Sequence, residues 1–136
     1  MAAPIKLEHA IMQSISEEEM QEVYNWVDEI PLSRPKKNIA RDFSDCVLVA
    51  EVIKHFLPNI IDLHNYCNAH SITQKTNNWT TLNNKVLKKF NLILAPKDIK
   101  DAVEMVPETI ERILFTIRFK IEQYSQRKKQ KRLESA

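Results

Sequence analysis

Three groups of side chains in this sequence have types and spacing that could do chemistry. His64-Asn-Tyr-Cys67-Asn-Ala-His70 sets two imidazoles and a thiol three residues apart, and both groups are good zinc ligands. A tetrahedral site needs a fourth ligand and no residue nearby supplies one, so the spacing reads as coincidence and no metal is expected. Cys67 or a serine as nucleophile would need a positioned base and oxyanion donors. No neighbour at helical spacing offers both, and the paired carboxylates Glu17 and Glu18 suit the positive end of a helix dipole. No catalytic residue and no cofactor are therefore expected, and the chain reads as non-enzymatic. The third group is Pro31 to Asp45, PLSRPKKNIARDFSD, in which Arg34, Lys36, Lys37 and Arg41 stand with no acid between Pro31 and Arg41. Its chemistry is electrostatic, attraction to an acidic partner.

Composition narrows the field further. Glycine is absent altogether, which excludes the glycine-rich loops that bring backbone close to phosphate. It also leaves every positive-φ turn to other residues, and Asn, Asp and Pro are expected to take that work. No apolar run is long enough for a membrane span, and Met1 to Glu8 has no apolar core for a secretory signal. Two cysteines, Cys46 and Cys67, fit a reducing compartment, so the expected location is the cytoplasm and the sequon-like Asn78-Trp79-Thr80 reads as coincidence. The formal charge of +2 hides a segregation, with Lys6 the single cation among the acids up to Ile30 and the cations gathered just after Pro31.

The elements that must position these groups read as helices throughout. Residues 1–15 lack periodicity and are expected to be a frayed extension. Ser16 and Glu19 form a capping box with an Ile15/Met20 staple, opening a helix whose apolar face is Met20, Val23, Tyr24, Trp26, Val27 and Ile30 and which ends at Pro31. A second helix is expected from Ser44 or Asp45 to Leu57, apolar on all but the stripe Glu51, Lys54, His55. Such a helix belongs at the centre of its domain, with Phe43 seating it and Leu48 and Val52 in the core. Asn59 to Asn78 reads as loop. A third helix is expected from Asn77 to Asn91 with Trp79, Leu82, Val86 and Phe90 inward, a short one from Pro96, and a last one after Pro107 on Ile110, Ile113, Leu114, Ile117, Ile121 and Tyr124. Trp26 and Trp79 read as core anchors. The domain should span 16–124, followed by a basic tail over 125–136, and the class is all-α.

These helices, in this order, resemble a calponin-homology domain, through YNWVDEI, DFSDCVLVAEVI and NNWTTLNNKVLKKFNL. The stretch WVDEIPLSRPKKNIARDFSD, with VLVAEVIK, HNY at 64–66 and NNKVLKKFN at 83–91, is similar to the sperm flagellar protein 1 family over about residues 17–132. That resemblance implies a compact helical domain around a buried central helix. It also implies a microtubule-binding protein of the ciliary and flagellar axoneme, with a coiled coil downstream that dimerises and bundles. The sequence shows no such coiled coil, so the chain reads as a domain excerpt, monomeric as it stands. Where the family has glycine after the Asp at the start of the central helix, this chain has Cys46. A Cβ is acceptable there if the position is already helical.

The resemblance makes microtubules the expected partner, and tubulin's acidity explains how cations would serve. Pro35 restricts the backbone on both of its sides, so Arg34, Lys36, Lys37 and Arg41 are expected to point outward as a fixed tubulin-facing patch. Arg41 is the leading residue because a guanidinium can fork onto a carboxylate. The competing reading has Arg41 paired with Asp42 or Asp45 of its own domain. Lys85 and Lys88 should be exposed as a secondary contact, with Lys89 closer to the buried face. Arg127, Lys128 and Lys129 in the tail either add attraction or form a solvated helix end. The alternative function is an actin-binding or adaptor domain, which charge alone does not separate from tubulin binding. Nucleic acid is disfavoured by the small net charge and the lack of aromatics among the cations.

Overall fold

Ser16 starts the first helix, as its type and spacing require: its hydroxyl accepts from the Glu19 amide and the Glu19 carboxylate accepts from the Ser16 amide. The computed structural model describes residues 10–135 and contains six α-helices there: α1 (Glu17–Asp28), α2 (Ile39–Asp42), α3 (Val47–Phe56), α4 (Ile72–Lys85), α5 (Pro96–Val103) and α6 (Thr109–Ser135). Single 3-10 turns occupy Leu63–Asn65 and Leu87–Phe90, and the described residues include no strand. α6 is the spine. α1, α2, α3, α5 and the second 3-10 turn all pack on it, and α4 packs on α5.

The core forms where the apolar faces meet. Leu48, Val49, Ala50, Val52 and Ile53 of α3 are buried, together with Phe43, Trp79, Leu82 and the α6 stripe Ile110, Ile113, Leu114, Ile117, Ile121. Trp79 is fully enclosed and donates its indole N–H to the Ser44 carbonyl at 2.8 Å, which satisfies the one polar atom that such a burial would otherwise leave exposed to apolar surroundings. Asn83 uses both ends of its amide on the backbone of Leu94, at 2.9 and 3.1 Å, and so fastens the connection between α4 and α5.

Several elements differ from the sequence-based expectation. Trp26 is a half-buried residue packed at the rim of the core, since Val23 and Val27 take the buried side of α1 and Ile30 is buried just beyond it. It stacks on Phe56 with ring centroids 5.4 Å apart, and the Arg118 guanidinium carbon lies 5.8 Å from the centre of the Trp26 ring. α1 ends at Asp28, a separate turn of helix, α2, lies in the expected loop, and α3 begins at Val47, directly after the left-handed Cys46. α4 begins at Ile72, several residues before the expected start. Thr and Asn are weak helix formers and show no apolar period there, but the Ser71 hydroxyl caps the Gln74 amide at 3.2 Å. α6 runs on through the expected tail to Ser135. Residues 11 and 12 of the expected frayed extension are docked: Ile11 is buried, and Met12 exchanges bonds with Thr116 and Arg112 of α6 at 3.2 Å each. Residues 1–9 lie outside the described residues.

Positive φ is carried by Cys46 (75°), Asn91 (59°), Met105 (61°) and Glu108 (70°). The expected substitutes for glycine were Asn, Asp and Pro, and Asn91 alone among these four belongs to that set. Cys46 is thus left-handed and not helical, which corrects the expectation that its Cβ sits in ordinary helical backbone. A left-handed L-residue with a Cβ crowds the following carbonyl, at a cost of about 1–2 kcal/mol.

Candidate functional site

The segment from Ile30 to Asp45 is fixed at both ends by its own acids and by its neighbours. Ser33 donates its amide to one oxygen of Glu51 at 2.8 Å and its hydroxyl to the other. Arg34 Nη2 donates to Asp45 Oδ1 at 3.0 Å, with the two side chains 34% and 3% exposed. Asp45 is a junction: Oδ1 also accepts from the Val47 amide (3.1 Å), Oδ2 from the Ala69 amide (3.1 Å), and its carbonyl from Asn78 Nδ2 (2.8 Å). One buried residue therefore ties the basic segment to the start of α3 and to the 66–70 loop through its carboxylate, and to α4 through its carbonyl.

Lys36 turns inward as well. Its ammonium caps the end of α1, donating to the Val27 carbonyl at 3.0 Å with Asp28 at 3.5 Å, a favourable place for a cation at the negative end of the helix dipole. Asn38 then caps α2 by accepting from the Arg41 amide at 3.1 Å, and Asp42 Oδ2 accepts from the Lys37 and Asn38 amides at 2.8 and 2.9 Å. Burial alone would raise the Asp42 carboxyl, but those two amides and the Arg41 guanidinium outweigh it and hold its pKa below the ordinary value.

Lys37 and Arg41 face outward on this scaffold. The Arg41 side chain is 61% exposed, with Asp42 3.5 Å from Nε. Arg41 thus meets both readings, exposed and yet paired with Asp42; Lys37 is presented to solvent, whereas Arg34 and Lys36 are used internally, contrary to the expectation that all four point outward. Between the segment and α1 lies a groove of about 290 Å³, lined by Tyr24, Val27, Asp28, Lys36, Lys37 and Ile39. Beside it Tyr24 donates its hydroxyl to Glu111 Oε2 of α6 at 2.7 Å, and Glu111 is 6% exposed with Oε1 lacking a hydrogen-bond partner. Burial, then the hydrogen bond and charge of Glu111, push the Tyr24 pKa up to about 12.

A second group of cations lies elsewhere. Lys85, Lys88 and Lys89 are exposed around the second 3-10 turn, so Lys89 does not sit against the buried face. Arg127, Lys128 and Lys129 are exposed on the far part of α6. Phe90 packs edge-on against Tyr124 at 5.3 Å, and Lys128 Nζ stands 5.3 Å from the centre of that tyrosine ring. At 1.5 Å per residue, Lys128 is about 25 Å along α6 from Glu111, where the first group leans on the same helix.

The remaining motifs carry no site. His64 and His70 are exposed, Cys67 is exposed, and the described residues include no cluster of three His, Cys, Asp or Glu side chains able to hold a metal ion. Asn78 commits its side-chain nitrogen to the Asp45 and Cys67 carbonyls at 2.8 Å each, so the sequon residue is structural.

Residues 23–119 match the family model described as the CH-like domain in sperm protein. The chain belongs to that family. The CH-like, that is calponin-homology-like, assignment accounts for the all-helical fold around a buried α3. Sperm flagellar protein 1 of Xenopus laevis is 53% identical over 107 residues, which cover 79% of this chain and 47% of that protein. Sperm flagellar protein 1 of Homo sapiens is 45% identical over 117 residues, 86% of this chain and 50% of that protein. The bovine protein of the same name gives 45% over 117 residues, with the same coverage. The chain spans about half the length of these relatives. The relatives are named for the sperm flagellum, and the family is cytoskeletal and structural, not enzymatic.

Sequence reasoning named Asp42 and Asp45 only as partners of Arg41, and missed Glu51 as the acceptor for Ser33, Asp45 as the partner of Arg34, and Asp42 as the acceptor for the Lys37 and Asn38 amides. For Asp42 a signal was present: Asn38 followed by four residues ending in Asp reads as a capped single turn. For Glu51 and Asp45 none was, because their partners are set by tertiary contact.

Proposed function

We propose that this CH-like domain binds the microtubules of the flagellar axoneme, with Lys37 and Arg41 as the cations that meet the acidic tubulin surface. The observation that carries the reading is the internal use of Arg34 and Lys36. Any basic surface is attracted to an acidic polymer within the roughly 8 Å reach of charge at physiological salt, but a defined register needs cations on a fixed frame. Glu51, Asp45 and Asp42 supply that frame, and Arg41, whose Nε contacts Asp42 at 3.5 Å, still presents a 61% exposed side chain to a carboxylate of the partner. The resemblance to microtubule-binding proteins and the flagellar names of the relatives point the same way.

Co-sedimentation with microtubules and, in parallel, with actin filaments tests this. Lys37→Glu combined with Arg41→Glu should weaken microtubule binding by about tenfold or more, taking each exposed contact as about 1 kcal/mol or less and counting its reversal as well as its loss. Undiminished binding by the folded double variant would sink the assignment of these residues. Selective binding of actin by the unaltered domain would sink the choice of polymer.

A further inference from the structure

The far part of α6 has a sidedness that a merely solvated helix end would not need. Ile113, Ile117 and Ile121 form a buried stripe that continues, at the same three- and four-residue steps, through Tyr124, Lys128 and Lys131 once the body of the domain ends. The face that would have been core is therefore basic where the core runs out. Lys129 falls off this stripe, on the side occupied by Gln126 and Leu133.

Two further observations bear on the same place. Phe90 touches Tyr124, so the exposed Lys88 and Lys89, the two residues just before Phe90, stand at the root of the basic stripe and make a corner with it. Arg127 with Lys131 and Lys128 with Arg132 are like-charge pairs at i and i+4, which oppose helix formation. Among the described residues no carboxylate pairs with any of them, and Glu134 bonds to Gln130. An anionic chain laid along the stripe would neutralise the corner and the repulsion together.

We propose that this corner is a second binding site, for an extended glutamate-rich peptide of the kind that an acidic polymer carries as a flexible tail. Lys128 lies about 25 Å along α6 from Glu111, which is bonded to Tyr24 of the groove beside Lys37; that separation is well beyond the screening length, so the two groups stand as separate sites. The first would read a folded surface and the second an unfolded acidic segment.

The test uses the full chain and a fluorescent decaglutamate peptide, with decaglutamine as the neutral control, followed by anisotropy and by hydrogen exchange. Microtubules are absent, so the outcome is independent of the loop's assignment. Lys128→Glu and Lys131→Glu should each weaken decaglutamate binding by about fivefold or more, Lys129→Glu by less than about twofold, and the Lys37→Glu/Arg41→Glu variant hardly at all. Bound peptide should slow amide exchange over 125–135, because it removes the like-charge repulsion. Three results would each overturn the proposal: equal weakening by Lys129→Glu and Lys128→Glu, abolition by the loop variant, or equal binding of decaglutamine.

Discussion

Replacing Glu108 by alanine and by glycine should give stabilities in the reverse of their usual order. Glu108 is exposed and has φ 70°, so neither substitution creates a cavity. Both remove the same carboxylate, and the pair therefore isolates the backbone. Alanine keeps the left-handed Cβ and its cost of about 1–2 kcal/mol, while glycine relieves it but gains about 0.5–1 kcal/mol of freedom in the unfolded chain. The difference leaves Glu108→Gly more stable than Glu108→Ala by about 0.5–1 kcal/mol. At Glu122, exposed and helical within α6, the same pair should have the opposite sign by about 1 kcal/mol. Urea unfolding read by tryptophan fluorescence measures both, since Trp79 is buried against Ser44 and should respond on unfolding. An unchanged m-value keeps the comparison one of stability. At Cys46 the two variants should lie closer together, because glycine also removes a buried methyl worth about 0.8 kcal/mol. If Glu108→Ala equals or exceeds Glu108→Gly, the left-handed assignment at this turn is wrong.

Asp45→Ala should cost at least about 3 kcal/mol in the same assay, because it strands the partly buried Arg34 and leaves the Val47 and Ala69 amides without their acceptor; a loss below about 1 kcal/mol would show that the junction does not hold the segment. Tyr24 has a folded pKa of about 12 against an ordinary 10.0, so its contribution to stability is complete below pH 10 and is lost as pH rises from there towards 12. Tyr24→Phe should flatten that part of the pH–stability curve, measured by urea midpoints at successive pH values, and an unchanged slope would refute the assignment.

Much of the fold was legible because apolar period and punctuation agree along the chain. The Ser16 box, the all-round apolar α3 and the Pro96 start each rest on a local rule, and each element lies within a few residues of its expected place. The misjudged boundaries share a cause. Ile72 to Asn77 has no apolar period and becomes helical through the Ser71 cap; Ile39 to Asp42 is too short to show a period at all. Cys46 misled because glycine was missing while its conformation was retained, and sequence displays the residue without its dihedral. For the site, charge counting identified the segment but not which cations face out. That division depends on Asp45, Glu51 and the end of α1, acceptors that tertiary packing brings to Arg34, Ser33 and Lys36.

α6 is 27 residues long, about 40 Å of continuous rod. One end is bonded through Glu111 to Tyr24 beside the Lys36 and Lys37 groove, and the other stands clear of the domain. Such a rod is a lever. A sideways pull at Ser135 turns it about the packed middle around Ile117 and works against the hydrogen bond at Glu111. The Tyr24–Glu111 bond is thus the fastening that a load on the far end of α6 would test, while Lys37 and Arg41 keep their own frame of Asn38 and Asp42.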